Sequence, residues 1–189
     1  MQGMYAHTPL TREGCDQATE MGLALRAHIA DSDDLALVSS PAGRTLQTLA
    51  LIAEELGRDW HGNDTDIRLR EIDVGDWDGC YYKDVAPDIR TIMDMEHKLF
   101  IKKAPGGEDY RDVAERVSEW LSEQQFTRDM LIITHGMTAR VLRGILLGLP
   151  PLEGFGAPIA PGLAQGSMVM IRDGVENLVI DGAGRAERA

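Results

Sequence analysis

Two short apolar runs constrain the fold of this chain most, because each leads at once into a polar turn and then a helix. The runs occupy residues 35–38 and 130–134. Apolar runs of this length are typical of strands buried on both faces. Strands that alternate with helices are typical of a parallel sheet. The sequence therefore predicts an α/β, three-layer sandwich whose mainly parallel sheet carries helices on both faces.

Helical periodicity and start signals predict the helices. Apolar residues recur at helical spacing over residues 13–29, and Thr11 ahead of them is a suitable N-cap. The second helix should begin with Ser40 as N-cap and Pro41 as its first residue, and should stop before Gly57. Two more helices are predicted at 110–121 and 136–147, a weakly helical insert at 81–103, and a terminal hairpin that turns at Asp173-Gly174.

Composition narrows the class of protein. The chain has 189 residues and a net charge of −12, which disfavours a nucleic-acid partner because a phosphate backbone is bound by a basic face. No apolar run is long enough to cross a bilayer, so we expect no membrane partner. Cys15 and Cys80 are far apart in the sequence and form no metal-binding pattern, which favours a cytoplasmic location. We expect a single domain over residues 1–189, with a frayed tail at 183–189.

The polar residues that follow the two apolar runs are candidates for binding an anion. Ligands bind at the carboxyl ends of parallel strands, where helix N-termini present N–H groups. Arg44 lies in the first turn of one such helix, and a guanidinium can grip phosphate oxygens with two hydrogen bonds. His135 stands at the start of the other helix, and the N–H groups of Gly136 and Met137 follow it. Taken alone, each of these residues is as consistent with an ordinary surface or core position as with an anion-binding site.

Four segments together are far more specific. They read SSPAGRTLQT (39–48), LREIDVGDWDG (69–79), PGGEDYRDVAERV (105–117) and ITHGMTARVL (133–142). In this order they resemble the histidine phosphatase superfamily, with its phosphoglycerate mutase-like fold, over almost the whole chain. The resemblance implies hydrolysis of a phosphomonoester through a phosphohistidine intermediate. Its implied ligand is a small phosphorylated metabolite.

The resemblance also implies roles for three residues. Arg44 would bind the phosphoryl group, Glu71 would donate a proton to the leaving oxygen, and His135 would stabilise the transferring phosphoryl group. These roles are chemically coherent, because a monoester leaving group needs an acid and the phosphoryl oxygens need positively charged donors. We expect neither a metal nor another cofactor.

One departure from the family pattern concerns the nucleophile. In the family it lies in an Arg-His-Gly motif at the end of a first, central strand, and this tripeptide is absent from the 189 residues. The resemblance places that strand between the strands equivalent to residues 35–38 and 130–134. We expect the chain as given to be inactive, and we expect its unpaired strand edges to favour a homodimer.

We predict that in-frame sequence upstream of Met1 encodes an apolar strand ending in Arg-His-Gly. The physical reason is that the retained acid and phosphate-binding residues serve a covalent mechanism that needs this nucleophile. Sequencing the locus tests the prediction, and a stop codon directly upstream would contradict it.

Three functions remain open on the sequence alone. The short insert after Glu71 favours a phosphatase, because mutases of the family carry a longer insert that closes over the substrate. A phosphoglycerate mutase-type phosphoryl transfer is the alternative within enzymes. A non-catalytic phosphate-binding pseudo-phosphatase is the alternative outside them. We expect specificity to come from residues 81–103 and 151–166.

Overall fold

The computed structural model of the protein describes residues 1–3, 7–29 and 34–184. These residues form two compact units. The first unit contains residues 1–3, 70–124 and 135–162, and the second contains 7–29, 34–69, 125–134 and 163–184. The single domain expected from the sequence stays a prediction. Most of the predicted tail, residues 185–189, lies outside the described residues.

A parallel sheet with helices against it forms the second unit, as the two apolar runs predicted. Its strands β1, β2 and β5 lie in the order β2-β1-β5, and both neighbouring pairs are parallel. An antiparallel hairpin, β6 with β7, completes this unit. The elements of the second unit are α1 (Arg12–His28), β1 (Ala36–Ser39), α2 (Gly43–Glu55), β2 (Asp64–Thr65), β5 (Met130–Ile133), β6 (Met168–Arg172) and β7 (Val175–Ile180).

Strands β1 and β5 pair directly with each other, which corrects one expectation. Ala36 is opposite Met130, and the register continues to Ser39 opposite Ile133. In the family resemblance another strand lies between these two segments, and without it we expected unpaired edges there; the direct pairing shows that the expectation of unpaired edges at this position was wrong. The apolar side chains of both strands bury each other most completely when the strands are neighbours. The homodimer inferred from unpaired edges stays a prediction.

Helix α2 packs against strands β1 and β5, and helix α1 packs against α2 and β7, with apolar side chains in the shared core. The core includes Leu49 and Ile52 of α2, which are fully buried, together with Leu37 of β1 and Leu131 of β5. Thr11 caps α1, as predicted, by accepting a hydrogen bond from the Gly14 N–H at 3.1 Å. Capping and burial therefore place α1 where its periodicity predicted it.

The start of α2 differs from the prediction. Its N-cap is Ala42 and its first helical residue is Gly43, so the predicted cap at Ser40 and helical position for Pro41 are wrong. Ser40 instead continues the backbone hydrogen bonding between β1 and β5, since its N–H donates to the Ile133 carbonyl at 2.9 Å. Its own carbonyl accepts from the Thr45 hydroxyl at 2.8 Å. These bonds use Ser40 as a link between strand and helix, which delays the helix by two residues.

Three α-helices and a small hairpin form the described part of the first unit. Its elements are α3 (Tyr82–Val85), β3 (Met93–Asp94), β4 (Leu99–Phe100), α4 (Tyr110–Ser122) and α5 (Gly136–Leu146). Asp109 begins α4 with a capping box that it forms with Asp112. Val113, Val117 and Trp120 of α4 are buried in the contact with α5. The insert 81–103, predicted to be weakly helical, has four residues of α-helix and the β3–β4 hairpin.

Two loops of the first unit approach each other backbone to backbone at a pair of glycines. A Cβ on Gly75 would overlap the Pro105 carbonyl oxygen, and a Cβ on Gly107 would overlap that of Asp73. The same loops are joined by the Glu108 N–H, which donates to the Asp73 carbonyl at 2.8 Å. Only residues without a side chain fit at this contact.

Helix α5 also packs tightly against the loop that follows it. Gly144 is buried, and a Cβ there would overlap the Pro158 carbonyl oxygen. The Arg140 side chain donates to the Ala160 carbonyl at 2.9 Å, and Arg143 donates to Pro161 at 2.8 Å. Helix and loop therefore form one rigid contact.

Gly144→Ala is expected to destabilise the protein by about 1–3 kcal/mol, because the added methyl group must displace the backbone of the loop. Urea unfolding followed by circular dichroism measures the change. Gly162→Ala is the matched control, since a Cβ there has open space around it. Equal stability of the two variants would contradict the tight contact.

The terminal hairpin agrees with its prediction. Asp173 and Gly174 both have positive φ, 52° and 73°, as a two-residue turn between twisted strands requires. Among the described residues, no helix is both long enough and apolar enough to cross a membrane.

Candidate active site

His135 lies where the chain leaves β5 and begins α5. It is the N-cap residue of α5, with extended backbone (φ −123°, ψ 168°), and its carbonyl accepts from the Ala139 N–H at 2.7 Å. The residue is only 8% exposed, and its side chain makes no capping hydrogen bond. The imidazole is therefore not used to satisfy the first turn of the helix.

Glu71 caps α5 in place of His135. Its carboxylate accepts hydrogen bonds from the Met137 N–H, at 3.2 and 3.3 Å to its two oxygens, and from the Thr138 N–H at 3.2 Å. It also accepts from the N–H of its neighbour Ile72 at 2.9 Å. A helix start carries a partial positive charge, so a carboxylate there is electrostatically favoured. The geometry brings Glu71 onto the same helix start as His135, Gly136 and Met137.

Thr138 joins this carboxylate to the surrounding backbone. Its hydroxyl is fully buried and donates to the Arg70 carbonyl at 2.6 Å. The same oxygen lies 3.5 Å from Glu71 Oε1 and accepts from the Arg116 guanidinium at 3.3 Å. A hydroxyl can donate one hydrogen bond and accept others, so Thr138 satisfies both neighbours at once.

A buried ion pair lies behind the Glu71 carboxylate. Arg116 donates from Nε and Nη2 to the two oxygens of Glu108, at 3.0 and 3.1 Å. Arg70 also donates to Glu108. Burial lowers the pKa of Arg116, and its bonds to Glu108 oppose that effect. No local signal in the sequence marks Thr138, Glu108 or Arg116 as part of the site. Only their positions in the HGMT and PGGED…ERV motifs could have indicated them.

Tyr110 closes the other side of the first turn of α5. It is 3% exposed, and its hydroxyl oxygen accepts from the Phe100 N–H at 3.0 Å and lies 3.7 Å from Met137 Sδ. Burial raises the pKa of this phenol. Tyr110 is therefore a neutral, structural wall beside the helix start.

A pocket of about 530 Å³ opens in the first unit next to this wall. It combines residues from both segments that were predicted to set specificity, with aromatic and basic side chains together. Its cations are largely neutralised: Lys103 pairs with Asp112 at 2.6 Å, and Arg111 pairs with Asp109 at 2.8 Å. The main side chains around it are those of Phe100, Lys102, Lys103, Tyr110, Arg111 and Phe155.

Arg44 belongs to the second unit, in the first turn of α2 as predicted. Its guanidinium donates to the Thr8 hydroxyl at 2.8 Å. Glu71, His135, Gly136 and Met137 all belong to the first unit. Over the described part of the chain, no three His, Cys, Asp or Glu side chains are grouped as a metal site.

Comparison with known proteins decides the family. The model of the histidine phosphatase superfamily (branch 1) matches residues 2–179. The chain belongs to this superfamily. Its parallel sheet and helices agree with that membership. The upstream Arg-His-Gly sequence remains a prediction.

Among the relatives of this superfamily member are named phosphatases and mutases. A glucosyl-3-phosphoglycerate phosphatase of Mycolicibacterium vanbaalenii is 29% identical over 82% of the chain and 71% of the relative. A 2,3-bisphosphoglycerate-dependent phosphoglycerate mutase of Rhizobium etli is 30% identical over 71% of the chain and 66% of the relative. The chain thus spans about two thirds of the length of these relatives.

Solved structures give the same α/β fold. A mycobacterial glucosyl-3-phosphoglycerate phosphatase in complex with inorganic phosphate has a TM-score of 0.68 and 25% identity. The likeness covers 97% of this chain and 91% of that one. The fold class predicted from the sequence is therefore confirmed as phosphoglycerate mutase-like.

Proposed function

We propose that this superfamily member acts on a small phosphomonoester and binds its phosphoryl group at the start of α5. The observation that carries the proposal is the placement of Glu71 on the Met137 and Thr138 N–H groups, directly after His135. One helix start then offers an acid and an imidazole within a few residues, in the positive potential of the helix dipole. Such a set suits proton donation to a leaving oxygen and stabilisation of phosphoryl charge.

Each residue has a role in this proposal. Glu71, when protonated, gives its proton to the leaving oxygen, and His135 donates to an equatorial phosphoryl oxygen. Gly136 and the helix dipole add positive potential. For Arg44, in the second unit, the resemblance to the superfamily supports a role in binding a phosphoryl group through its guanidinium. Membership of the superfamily supports these roles.

The Arg-His-Gly motif that carries the nucleophile in the superfamily is absent from the 189 residues. We propose that this chain alone binds phosphate but forms no phosphohistidine. Without a covalent route, turnover should fall by orders of magnitude even though the acid and the donors are present. A chain that hydrolyses an aryl phosphate at many turnovers per second would contradict this.

The substrate is proposed as a phosphorylated metabolite with a polar, uncharged body. The pocket next to Tyr110 supports this, because its aromatic rings suit a sugar-like or other cyclic body while its cations are already paired. The mycobacterial relative is named for glucosyl-3-phosphoglycerate, whose glucosyl ring is a body of this kind while its glycerate carries a carboxylate. Testing sugar phosphates against aryl phosphates of equal charge would separate pocket binding from phosphate binding.

His135→Ala is expected to weaken the binding of inorganic phosphate by about tenfold or more, since it removes a charge-assisted donor. ³¹P NMR titration measures the dissociation constant, with and without a chelator to test independence from metal. His61→Ala is the control, because His61 is an exposed histidine of the second unit. Equal affinity of the two variants would refute a phosphate site at the start of α5.

A mutase activity is the second candidate, and the Rhizobium etli relative named as a mutase favours it. Transfer of a labelled phosphoryl group between two glycerate positions would distinguish it from release of free phosphate. If phosphate binds but neither phosphoryl transfer nor release of free phosphate is detected, the hypothesis of a non-catalytic pseudo-phosphatase is favoured.

A further inference from the structure

We infer that Glu108 positions Glu71: it clamps the backbone segment 70–73, and through Arg116 and Thr138 it holds the Glu71 carboxylate on the start of α5. The inference rests on the proposed role of Glu71. Glu108 also lines the pocket beside Tyr110, and its effect on Glu71 is transmitted through its hydrogen-bonded neighbours. Three observations within the first unit carry it.

The first observation is that Glu108 binds residues on both sides of Glu71. The Arg70 guanidinium donates to Glu108 Oε1, and the Asp73 N–H donates to Glu108 Oε2 at 3.0 Å. The Glu108 N–H returns a bond to the Asp73 carbonyl at 2.8 Å. Glu71 lies between these anchored residues, so its backbone cannot shift along α5 without breaking the clamp.

The second observation is a chain of contacts from Glu108 to the acid itself. Arg116 binds both oxygens of Glu108 and also donates to the Thr138 hydroxyl. Thr138 in turn donates to the Arg70 carbonyl through its hydroxyl and to the Glu71 carboxylate through its N–H. The three side chains therefore fix Glu71 from its backbone and from its carboxylate at once.

The third observation is burial. The Arg116 side chain is 8% exposed and that of Glu108 is 12% exposed. Charged groups at this depth cost several kcal/mol each unless they are paired, so an ion pair here needs a compensating arrangement. Asp109 and Asp112, the next carboxylates along the chain, already cap α4, which leaves Glu108 to the clamp.

Amide hydrogen exchange of Met137 and Thr138 tests the clamp without any ligand. These two N–H groups lie in the first turn of α5 and donate to Glu71, so their protection reports where its carboxylate is. Glu108→Gln is expected to lower their protection about tenfold, the order of one lost hydrogen bond. Amides in the middle of α5 should keep their protection. Glu115→Gln, at an exposed position of α4, is the control and should alter the protection of neither group of amides.

Thr138 gives a conservative rescue. Thr138→Ser keeps the hydroxyl and should retain the protection of the Met137 amide, whereas Thr138→Val loses the hydroxyl and should lower it. Glu108 does not position Glu71 if Thr138→Ser and Thr138→Val give the Met137 amide equal protection from exchange. The same holds if Glu108→Gln leaves the Met137 and Thr138 amides fully protected. These outcomes hold whether or not phosphate binds, so they are distinguishable from a failure of the proposed function.

A double-mutant cycle on phosphate affinity completes the test. If Glu108 acts through Glu71, Glu108→Gln should change the phosphate dissociation constant about threefold in the unaltered chain and not at all in a Glu71→Gln background. Equal changes in both backgrounds would mean that Glu108 contributes only its own charge, and would overturn the inference.

Discussion

Replacing Glu71 with Gln is expected to tighten the binding of inorganic phosphate by about tenfold, because it removes a negative charge beside the site. In the chain extended by the predicted upstream Arg-His-Gly strand, the same substitution should lower hydrolysis of an aryl phosphate about a hundredfold or more, because the amide cannot donate the acid's proton. Opposite effects on binding and on rate are typical of an acid that acts on the transition state. ³¹P NMR titration and steady-state hydrolysis measure the two quantities.

The matched control is Glu115→Gln, which makes the same change in charge at an exposed position of α4. Its phosphate affinity should equal that of the unaltered chain. If Glu71→Gln and Glu115→Gln bind phosphate equally well, the Glu71 carboxylate does not face the phosphate, and the proposed site is wrong.

Arg116→Leu is expected to destabilise the protein by about 3–5 kcal/mol. The substitution removes the bidentate partner of Glu108 and leaves Arg70 as its remaining cationic partner, and breaking a buried ion pair is strongly destabilising. It also removes a donor from the buried Thr138 hydroxyl. Urea unfolding, followed by circular dichroism, gives the free energy of unfolding.

Arg111→Leu makes the same chemical change one and a half turns earlier on α4, at a side chain that is 71% exposed. It should leave the unfolding midpoint unchanged, because an exposed ion pair contributes little. If both variants unfold at the same urea concentration, the pair of Arg116 and Glu108 does not stabilise this unit.

Much of the fold was predictable because its signals are local. The apolar runs became β1 and β5, and Thr11 capped α1 through its own side chain. The turn at Asp173-Gly174 followed from two residues that tolerate positive φ. The start of α2 was missed because Ser40 is held by Ile133, a residue almost a hundred positions away.

The site was predictable only in part, for the same reason. The motifs indicated Glu71 and His135, and the structure places both at the start of α5. Nothing local indicates that Glu71 rather than His135 caps this helix. The sequence also does not indicate that Glu108 belongs to the site, because an acid beside Asp109 is typical of the start of a helix. Its partners Arg70, Asp73 and Arg116 come from two other segments of the chain.

The close approach of Gly75 and Gly107 has an evolutionary consequence. A side chain at either glycine would require the opposite loop to move away. Substitutions at the two positions should therefore occur together or not at all. New substrate preferences would then arise more readily in the insert 81–103 than in the loops themselves. A saturation mutagenesis screen should find the two glycines intolerant and the insert permissive, leaving variation to a segment whose end lines the pocket beside Tyr110.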